Sequence, residues 1–564
     1  MKPLPRPAAL ALAATALSSL LASFPGAQIA SCLAREGDPL AGAPLGETIS
    51  SISNTAVNQL GGYAATINTT DGTDTFSNVW GSATGGPGGL LQTEGTIGTL
   101  QQTSFESFFG VSDSGMAAYS ATCTDTITGT TGLDSVWLGG TVVALEGDPI
   151  AGLPGKMWRF ASRPGTTGDG QPYWVGGIND ITTGADEGRG LFLGLGATAL
   201  LKTGDLVPPL AFPVDPSGID FDARVSALGN HYISGIDTNE SFAADNYVVI
   251  DGTVLSLGGD LVGESRPVDA SIGGLVGELW DNFDFLGITE TGEYMFTGDT
   301  DATAGEDEFI LRNGMIEFRE GETVDGRVLT GFIEGASMNE AGEIAYIWDV
   351  VDPLGGSLEA LFFEDKLLLV EGDEVDLDGD GALDAGATIS SFTGLTAVTL
   401  GADRSIYFTA DIDTLGTSTT SDDVECFFCL PVGTLVANTQ RLSLSAGGTA
   451  NLNLLAGVAN AGRVYLMLGS VSGTSPGIGV NALVLPLNFD AYLQFTAGTP
   501  NTPPLLNGFA ILDADGEGQA QFALPPGTTP ALAGLDASHA YLLFDLATLQ
   551  ADFVSNAVSI ELAP

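Results

Sequence analysis

A turn sequence close to Glu-Gly-Asp recurs along much of this chain and constrains its fold more than any other feature. The clearest copy is Glu371-Gly372-Asp373. One glycine marks each copy of the series: Gly37, Gly95, Gly147, Gly204, Gly259, Gly321 and Gly372. Consecutive members stand 51 to 62 residues apart, and a period of this length indicates a repeat architecture.

Each repeat contains four short β-strand patterns separated by turns. In the repeat that ends at Gly321, strand patterns at 283–286 and 294–296 precede a hairpin whose turn is Asn313-Gly314, the strongest short-range hairpin signal. No segment sustains a helical period over three turns, so the chain is predicted to be all-β. Seven four-stranded units predict a seven-bladed β-propeller over residues 31–430, with an open β-solenoid as the alternative.

The two ends of the repeat array complement each other. Residues 29–38 are typical of a last strand without its hairpin partner, and residues 424–430 of a third strand that lacks its fourth. Pairing the two segments would complete one blade and remove an exposed sheet edge. The sequence therefore predicts a ring that is closed by its own N-terminal strand.

This closure would place Cys32 beside Cys426 or Cys429. In an exported chain with four cysteines, disulfides are expected, so Cys32 is predicted to bond one of these two. Cys123 and the remaining cysteine then form a second pair or stay as free thiols. The Cys426–Cys429 spacing also fits a redox or zinc motif, but the required helix start or further ligands are absent from the pattern.

The charge balance limits the class of partner. A formal net charge of −53 argues against nucleic acid and anionic membranes, because both need a cationic protein surface. A hydrophobic content of 44% excludes general disorder. The acidic surface favours solubility and cationic or basic partners, and adaptation to a salty medium is the alternative explanation.

The N-terminus predicts export. Residues 1–30 form a signal peptide, with basic residues at the start and an uncharged Ala- and Leu-rich run after them. The alternative is a bacterial lipobox at Ile29-Ala30-Ser31-Cys32, with Cys32 as the lipidated residue. No other stretch is apolar enough to span a bilayer, so a secreted or cell-surface bacterial protein is predicted.

The repeat period is lost after Pro431. Residues 431–440 are predicted to be a linker, and residues 441–564 a separate module with alternating strand patterns. The spacing of its turns predicts a small β-sandwich.

The repeat resembles the NxxGxxAF tandem repeat of secreted bacterial proteins. Its best copy is Asn339-Glu340-Ala341-Gly342-Glu343-Ile344-Ala345-Tyr346, with looser copies at 112–119 and 289–296. The motif combines a polar cap, a glycine at positive φ and inward apolar residues. The resemblance implies export and a repeat scaffold, and it implies no reaction.

The sharpest local pattern is an acidic loop that is typical of calcium binding. Oxygen ligands are expected at positions 1, 3, 5, 7 and 9 of such a loop, and here they would be Asp376, Asp378, Asp380, Ala382 (through its carbonyl) and Asp384. A glutamate at position 12 is missing, which predicts weaker binding or a carboxylate from elsewhere. The alternative is a solvated acidic hairpin.

No catalytic motif stands out, so no catalytic residue and no cofactor beyond calcium is predicted. The chain has two histidines and no nucleophile with a nearby base in its sequence pattern. We therefore predict a non-catalytic scaffold or binding protein that takes a polysaccharide or a cell-surface protein at the propeller channel. The alternative is a secreted glycosidase or lyase that uses two channel carboxylates, which sequence cannot recognise when separate blades bring them together.

Overall fold

The computed structural model describes residues 29–563 except for these internal segments: 216–222, 242–243, 380–382, 395–396, 417–419, 438, 440, 457–459, 475–476, 481–482, 514–515 and 546–549. Two compact units are present, Ala30–Pro431 and Val432–Pro564. Their regular structure is almost entirely β, as the sequence predicts. Nearly all of the predicted signal peptide lies outside the described residues. None of the described helices is long and apolar enough to span a membrane.

The first three sheets of the N-terminal unit are antiparallel meanders in chain order. The first strand of the chain, β1 (Ser31–Arg35), belongs to the last sheet. Sheet 1 contains β2 (Thr48–Val57), β3 (Tyr63–Thr70), β4 (Thr75–Ser82) and β5 (Gly89–Thr93). Those of sheet 2 are β6 (Thr96–Ile97), β7 (Leu100–Val111), β8 (Ala117–Asp125), β9 (Leu133–Leu138) and β10 (Thr141–Leu145). Those of sheet 3 are β11 (Lys156–Thr166), β12 (Pro172–Asp180), β13 (Asp186–Leu193) and β14 (Thr198–Lys202).

The next three sheets repeat the same order. Sheet 4 contains β15 (Ala223–Val225), β16 (Tyr232–Asp237), β17 (Asn246–Ile250) and β18 (Thr253–Val254), and a small hairpin follows it, β19 (Ser256–Leu257) and β20 (Asp260–Leu261). Sheet 5 contains β21 (Trp280–Ile288), β22 (Tyr294–Thr300), β23 (Phe309–Arg312) and β24 (Met315–Arg319). Sheet 6 contains β25 (Thr323–Val324), β26 (Arg327–Met338), β27 (Ile344–Val351), β28 (Ser357–Phe363) and β29 (Lys366–Val370).

Sheet 7 is completed from both ends of the unit. It contains β30 (Thr388–Phe392), β31 (Val398–Leu400), β32 (Ser405–Asp413) and β33 (Val424–Pro431), and β1 forms its outer strand. β1 pairs antiparallel with β33, with Ser31 opposite Cys429 and Arg35 opposite Cys426. The predicted closure by the N-terminal strand is therefore confirmed.

Apolar side chains fill the space between successive sheets. One cluster joins Val136 and Ala144 of sheet 2 to Trp158 and Trp174 of sheet 3. Another cluster joins sheet 7 to sheet 1, where the rings of Tyr63 and Tyr407 stack with centroids 4.9 Å apart. Because the last sheet packs on the first, the unit is a β-propeller and the open solenoid is excluded. Seven sheets are found among the described residues, and the number of seven blades stays a prediction.

The glycines of the sequence repeat lie in the connections between one sheet and the next. The backbone N–H of Gly372, just after β29, donates to the carbonyl of Ile389 in β30 at 2.8 Å, and Gly37, Gly147 and Gly321 make equivalent bonds. Gly372 has φ +91°, a conformation that favours glycine. The following Asp373 accepts from the Val370 N–H at 2.9 Å, so this aspartate stabilises the backbone of the turn.

A second repeated turn joins the innermost strand of each sheet to the next strand. We call these the inner turns: residues 58–62, 112–116, 167–171, 226–231, 289–293, 339–343 and 401–405. In each, the first residue donates its N–H to the carbonyl of the last. In six of them a side-chain oxygen at the first position also accepts from the N–H of the last, as Asn339 does from Glu343 at 3.0 Å. This bond explains the polar residue that opens the motif.

The C-terminal unit is built from two sheets that share one core, as expected for a β-sandwich. Four strands form one sheet: β34 (Leu435–Ala437), β36 (Gly448–Leu455), β42 (Glu517–Leu524) and β40 (Leu505–Leu506). Six form the other: β35 (Arg441–Ser443), β45 (Val558–Ala563), β43 (Asp536–Asp545), β37 (Val464–Ser470), β41 (Phe509–Ile511) and β44 (Gln550–Val554). Outside them lie the hairpin β38 (Ile478–Val480) and β39 (Leu483–Leu485), and a helix, α1 (Ala491–Gly498).

All four cysteines are free thiols in this structure. The Cys426 thiol is buried against that of Cys32, and this contact together with burial raises its pKa. Cys429 contacts Tyr407, and Cys123 is buried with its Sγ 3.1 Å from the Ser135 hydroxyl. Cys32 therefore lies beside Cys426, one of its two predicted partners, and the disulfide between them stays a prediction.

Candidate functional site

A cavity of about 200 Å³ is lined by the innermost strand of every sheet in the propeller unit. These strands contribute residues 55–57 from β2, 109–111 from β7, 163–166 from β11, 224–225 from β15, 285–288 from β21, 335–338 from β26 and 398–400 from β31. Residues that are far apart in sequence therefore face one space, which is the usual position of a ligand site in this architecture.

Small residues line most of the cavity wall at one repeated position. The position two residues before each inner turn faces the cavity, and in six sheets it holds Ala56, Gly110, Gly165, Gly287, Ser337 or Thr399. A Cβ atom on Gly110 would lie 2.6 Å from the backbone nitrogen of Thr166 in the neighbouring strand. Small residues at this position thus let adjacent sheets approach closely.

The inner turns are joined to one another by hydrogen bonds between sheets. The Gln59 N–H donates to the Asp113 carboxylate at 2.9 Å, and the Asp113 N–H donates to the Gly168 carbonyl at 3.0 Å. The Gly168 N–H in turn donates to the Ala227 carbonyl at 2.7 Å. Since Gln59, Gly168 and Ala227 also line the cavity, this bonded series fixes the position of its wall.

Glu340 is the one carboxylate among the described residues that line the cavity. Its two oxygens accept from the N–H groups of Ala227, at 3.1 Å, and Glu290, at 2.7 Å. Burial raises the pKa of Glu340, whereas these two bonds oppose the rise. The carboxylate holds three inner turns together, which is a structural role.

Two arginines are the other charged residues in the described part of the cavity lining, Arg163 of β11 and Arg224 of β15. Both are partly buried. The chain has only 17 basic residues against 70 acidic ones, so two cations at one cavity depart from its general composition. These arginines were not identified from the sequence. An alignment of the seven repeats would have shown Arg224 at a position where the other repeats have small residues.

Rows of carboxylates cross several sheets outside this cavity. In sheet 6, Asp349 of β27 lies opposite Glu359 of β28, and Glu359 donates its N–H to the Glu371 carboxylate at 3.1 Å. Burial and the charge of Glu371 raise the pKa of Glu359 to about 7. Its carboxylate accepts from the Phe392 N–H of sheet 7 at 2.5 Å, which joins two sheets.

Sheets 5 and 7 contain equivalent rows. In sheet 7, Glu425 accepts from the Ile52 N–H of sheet 1 at 2.6 Å, and burial with the charge of Asp411 raises its pKa to about 7. In sheet 5, burial and contact with Asp299 raise the pKa of Glu308 to about 10. Sequence reasoning missed these rows. The available signal was an acidic residue twelve positions before the repeated glutamate, as in the pair Glu359 and Glu371.

The predicted calcium loop brings three of its carboxylates together. Ligand atoms of Asp376, Asp378 and Asp384 all lie within 4.8 Å of one another, and this group could hold a metal ion. Asp376 is fully buried and accepts from the Ser31 hydroxyl at 2.8 Å. Asp384 accepts from the Leu377 N–H at 2.9 Å. The other two predicted ligands, Asp380 and Ala382, lie outside the described residues.

The acidic loop is attached directly to the closing strand. The Cys32 N–H donates to the Asp376 carbonyl at 2.8 Å, and the Asp376 N–H donates to the Ala30 carbonyl at 3.1 Å. An ion bound at these carboxylates would therefore order the segment that holds β1 against the rest of the unit.

Comparison with known proteins gives no family. No protein-family model matches the chain, and no curated protein matches it significantly. Among solved structures, the chain is similar to the α-L-arabinofuranosidase PaAbf62A from Podospora anserina in complex with cellotriose. The two share 8% identity over 72% of this chain and 98% of that one, with a TM-score of 0.21. A likeness of this size carries no argument about activity.

Proposed function

We propose that the protein is an exported, non-catalytic binding protein whose ligand enters the central cavity of the propeller. The observation that carries this proposal is the single cavity that the innermost strands of seven sheets line together. A wall fixed by bonds between inner turns supports it, because a rigid site loses less conformational entropy when a ligand binds. A polysaccharide is the proposed partner, and a cell-surface protein is the second choice.

The cavity chemistry favours binding over catalysis. Glycosidases of the common type place two carboxyl groups about 5 to 9.5 Å apart at one sugar ring. Among the described lining residues, Glu340 is the one carboxylate, and backbone N–H groups already occupy both of its oxygens. The alternative, a carbohydrate-active enzyme, draws its support from the contact of Glu308 with Asp299, which brings two carboxyl groups together and, with burial, raises the pKa of Glu308.

We expect the purified protein to retain a glycan on a polysaccharide array without releasing products from it. The array is read twice, for bound protein and for soluble reducing sugars. Retention without products supports the binding protein. Release of soluble sugars by the wild-type protein, lost in Glu308→Gln, would establish the enzyme instead. If no glycan on the array retains the protein, the polysaccharide proposal is contradicted.

The proposed metal of the acidic loop is calcium, because hard carboxylate and carbonyl oxygens are its preferred ligands. We expect excess calcium to raise the melting temperature and chelator to lower it. Binding to the folded state alone stabilises it by about 2.7 kcal/mol when the calcium concentration is a hundred times the Kd. Asp378→Ala should abolish this shift, whereas Asp74→Ala, an exposed turn carboxylate in sheet 1, should leave it unchanged.

Calorimetry decides this prediction directly. A single calcium-binding event in wild type that is absent from Asp378→Ala supports the site. Equal binding by the two proteins, or no binding to wild type, would leave the loop as a solvated acidic hairpin.

The proposed location is the exterior of a bacterial cell, in free or surface-attached form. The contact between the Cys32 and Cys426 thiols supports a disulfide at Cys32 over a lipid anchor. A lipid on Cys32 would place its chain beside the buried Cys426 within sheet 7. Relationship to the NxxGxxAF repeat proteins is part of the same proposal, and the repeated hydrogen bonds of the inner turns support it.

A further inference from the structure

We propose that His539 and Tyr492 form an acid-sensitive clamp that holds helix α1 against the C-terminal unit. The clamp is closed while the His539 ring is neutral, and it opens when the ring takes up a proton. This inference concerns the C-terminal unit alone and does not depend on a ligand in the propeller cavity. The two residues are 47 positions apart, so no local sequence pattern joins them.

His539 lies on β43 and is fully buried. It stands opposite Gly469 of β37, and the centroid of its ring is 4.8 Å from that of Phe522, which lies on β42 in the facing sheet. Its Nε2 is 3.0 Å from the Tyr492 hydroxyl, whereas its Nδ1 has no hydrogen-bond partner among the described residues. Because a buried charge without a partner is costly, these surroundings favour the neutral ring.

Tyr492 brings α1 onto this end of the sandwich. Its ring packs on Gly469, where an added Cβ atom would lie 2.3 Å from a ring carbon, so the absence of a side chain makes room for the tyrosine. Thr496 of the same helix accepts from the Gly469 N–H at 3.1 Å. Asp490, which caps the helix, accepts from the Val471 N–H at 2.7 Å. The helix is thus attached to the end of β37 at two points and to β43 through Tyr492.

Protonation of the ring removes the acceptor on which the clamp depends. In the neutral ring, Nε2 accepts the hydrogen of the Tyr492 hydroxyl, whereas both nitrogens of a protonated ring are donors. The hydroxyl hydrogen then loses this acceptor, and a positive charge is buried beside the Phe522 ring. Both effects cost free energy, which is recovered when the helix moves away and water reaches the imidazole.

The pH range of the clamp follows from the difference between a buried and a free imidazole. Burial lowers the pKa of His539 to about 3, and a contact with the Ala537 backbone opposes this effect. A free imidazole has a pKa of about 6.5. The open state therefore binds the proton more tightly than the closed state. The closed state is fully favoured above pH ~6.5, and it loses this advantage as the pH falls through 6.5 towards 3.

The groups around the ring do not share this titration. Burial acts to raise the pKa of Asp490, but hydrogen bonds from backbone N–H groups outweigh it and lower the pKa, so this carboxylate stays ionised at pH 5. Burial, and then the charge of Asp490, raise the pKa of Tyr492, so the phenol stays neutral. The residues beside the ring on β37, β42, β43 and β45 are Gly469, Phe522, Tyr541 and Val558. Of these, Tyr541 alone is ionisable, and a phenol is uncharged at these pH values.

Hydrogen exchange of the full chain, measured by mass spectrometry between pH 7 and pH 4.5 and corrected for the intrinsic effect of pH, tests the clamp. We expect the amides of α1 to exchange at least tenfold faster at pH 5 than at pH 7, because protonation of a free imidazole favours the open state by a factor on the order of 20. Below pH 6 the protection of α1 should fall about tenfold per pH unit, as uptake of one proton requires. The amides of β42 should keep their protection, since the opening is local.

Two histidine variants identify the sensor. His539→Gln keeps an oxygen that can accept from the Tyr492 hydroxyl and cannot be protonated, so the protection of α1 should no longer depend on pH between 7 and 5. His231→Gln removes the other histidine, which lies beside Asp251 in the propeller unit, and should follow wild type. If His539→Gln is unfolded, the slope measured in wild type decides alone. Unchanged protection of α1 in wild type, equal loss of protection in β42, or the wild-type pH dependence in folded His539→Gln overturns the inference.

Discussion

A chain that begins at Glu36 and so lacks the closing strand is expected to lose the folded propeller unit. The missing strand, β1, has five residues, of which four pair with residues of β33, and Ala34 is buried in the cluster between sheets 7 and 1. Each lost backbone hydrogen bond contributes ~0.5–1.5 kcal/mol. The sum, on the order of 5 kcal/mol, is comparable with the ~5–15 kcal/mol that stabilises a typical domain. Circular dichroism and melting curves measure the result.

The control is a chain that begins at Ala30 and so keeps β1. It should melt cooperatively at the temperature of the longer protein. Adding a synthetic peptide of residues 29–38 to the chain that begins at Glu36 should restore part of the melting temperature, because an open sheet edge accepts an added strand. Equal melting temperatures for the two truncated chains would show that β1 does not close the unit.

Local turn chemistry explains why so much of the propeller could be predicted from sequence. Asn313-Gly314 forms the predicted hairpin, with φ +49° and +84°. Gly37, Gly147, Gly321 and Gly372 connect one sheet to the next through equivalent backbone bonds. These features depend on residues that are close in sequence, and repetition made each of them visible several times. The incomplete strands at the two ends could be matched for the same reason.

Features that depend on contacts between sheets were not accessible in this way. The cavity assembles Arg163, Arg224 and Glu340 from three different sheets, and no spacing in the sequence joins them. The helix α1 was also not predicted, since its eight residues are too few to show a helical period. Asp490 caps the start of this helix by accepting from the Leu493 N–H at 2.8 Å. In a sequence, such a capping residue can be recognised only when a longer helical pattern follows it.

The propeller unit is expected to be more stable near pH 5 than near pH 8. Burial first, and neighbouring carboxylates second, raise the pKa of Glu359 and of Glu425 to about 7 and that of Glu308 to about 10. Burial also raises the pKa of Asp373 to about 6. Because the folded state binds these protons more tightly than the unfolded chain does, stability is full below the ordinary carboxyl pKa and is lost as the pH rises through the folded values.

The expected effect is large because several groups act together. A shift of one pKa unit corresponds to ~1.4 kcal/mol, so each half-buried glutamate contributes on the order of 2 kcal/mol between pH 5 and pH 8 after solvent screening. Below pH 4 the trend should reverse, since backbone and side-chain hydrogen bonds lower the pKa of Asp180 to about 2. The melting temperature should therefore pass through a maximum between these limits.

Neutral variants test whether the carboxylate rows cause this dependence. Glu359→Gln combined with Glu425→Gln keeps an oxygen that can accept from the Phe392 and Ile52 N–H groups and removes two buried charges. We expect a higher melting temperature than wild type at pH 8 and a smaller difference between pH 5 and pH 8. Asp74→Asn changes an exposed turn and should follow the wild-type curve. A double variant whose melting temperature varies with pH as steeply as wild type would show that the overall negative charge, and not these rows, governs the response.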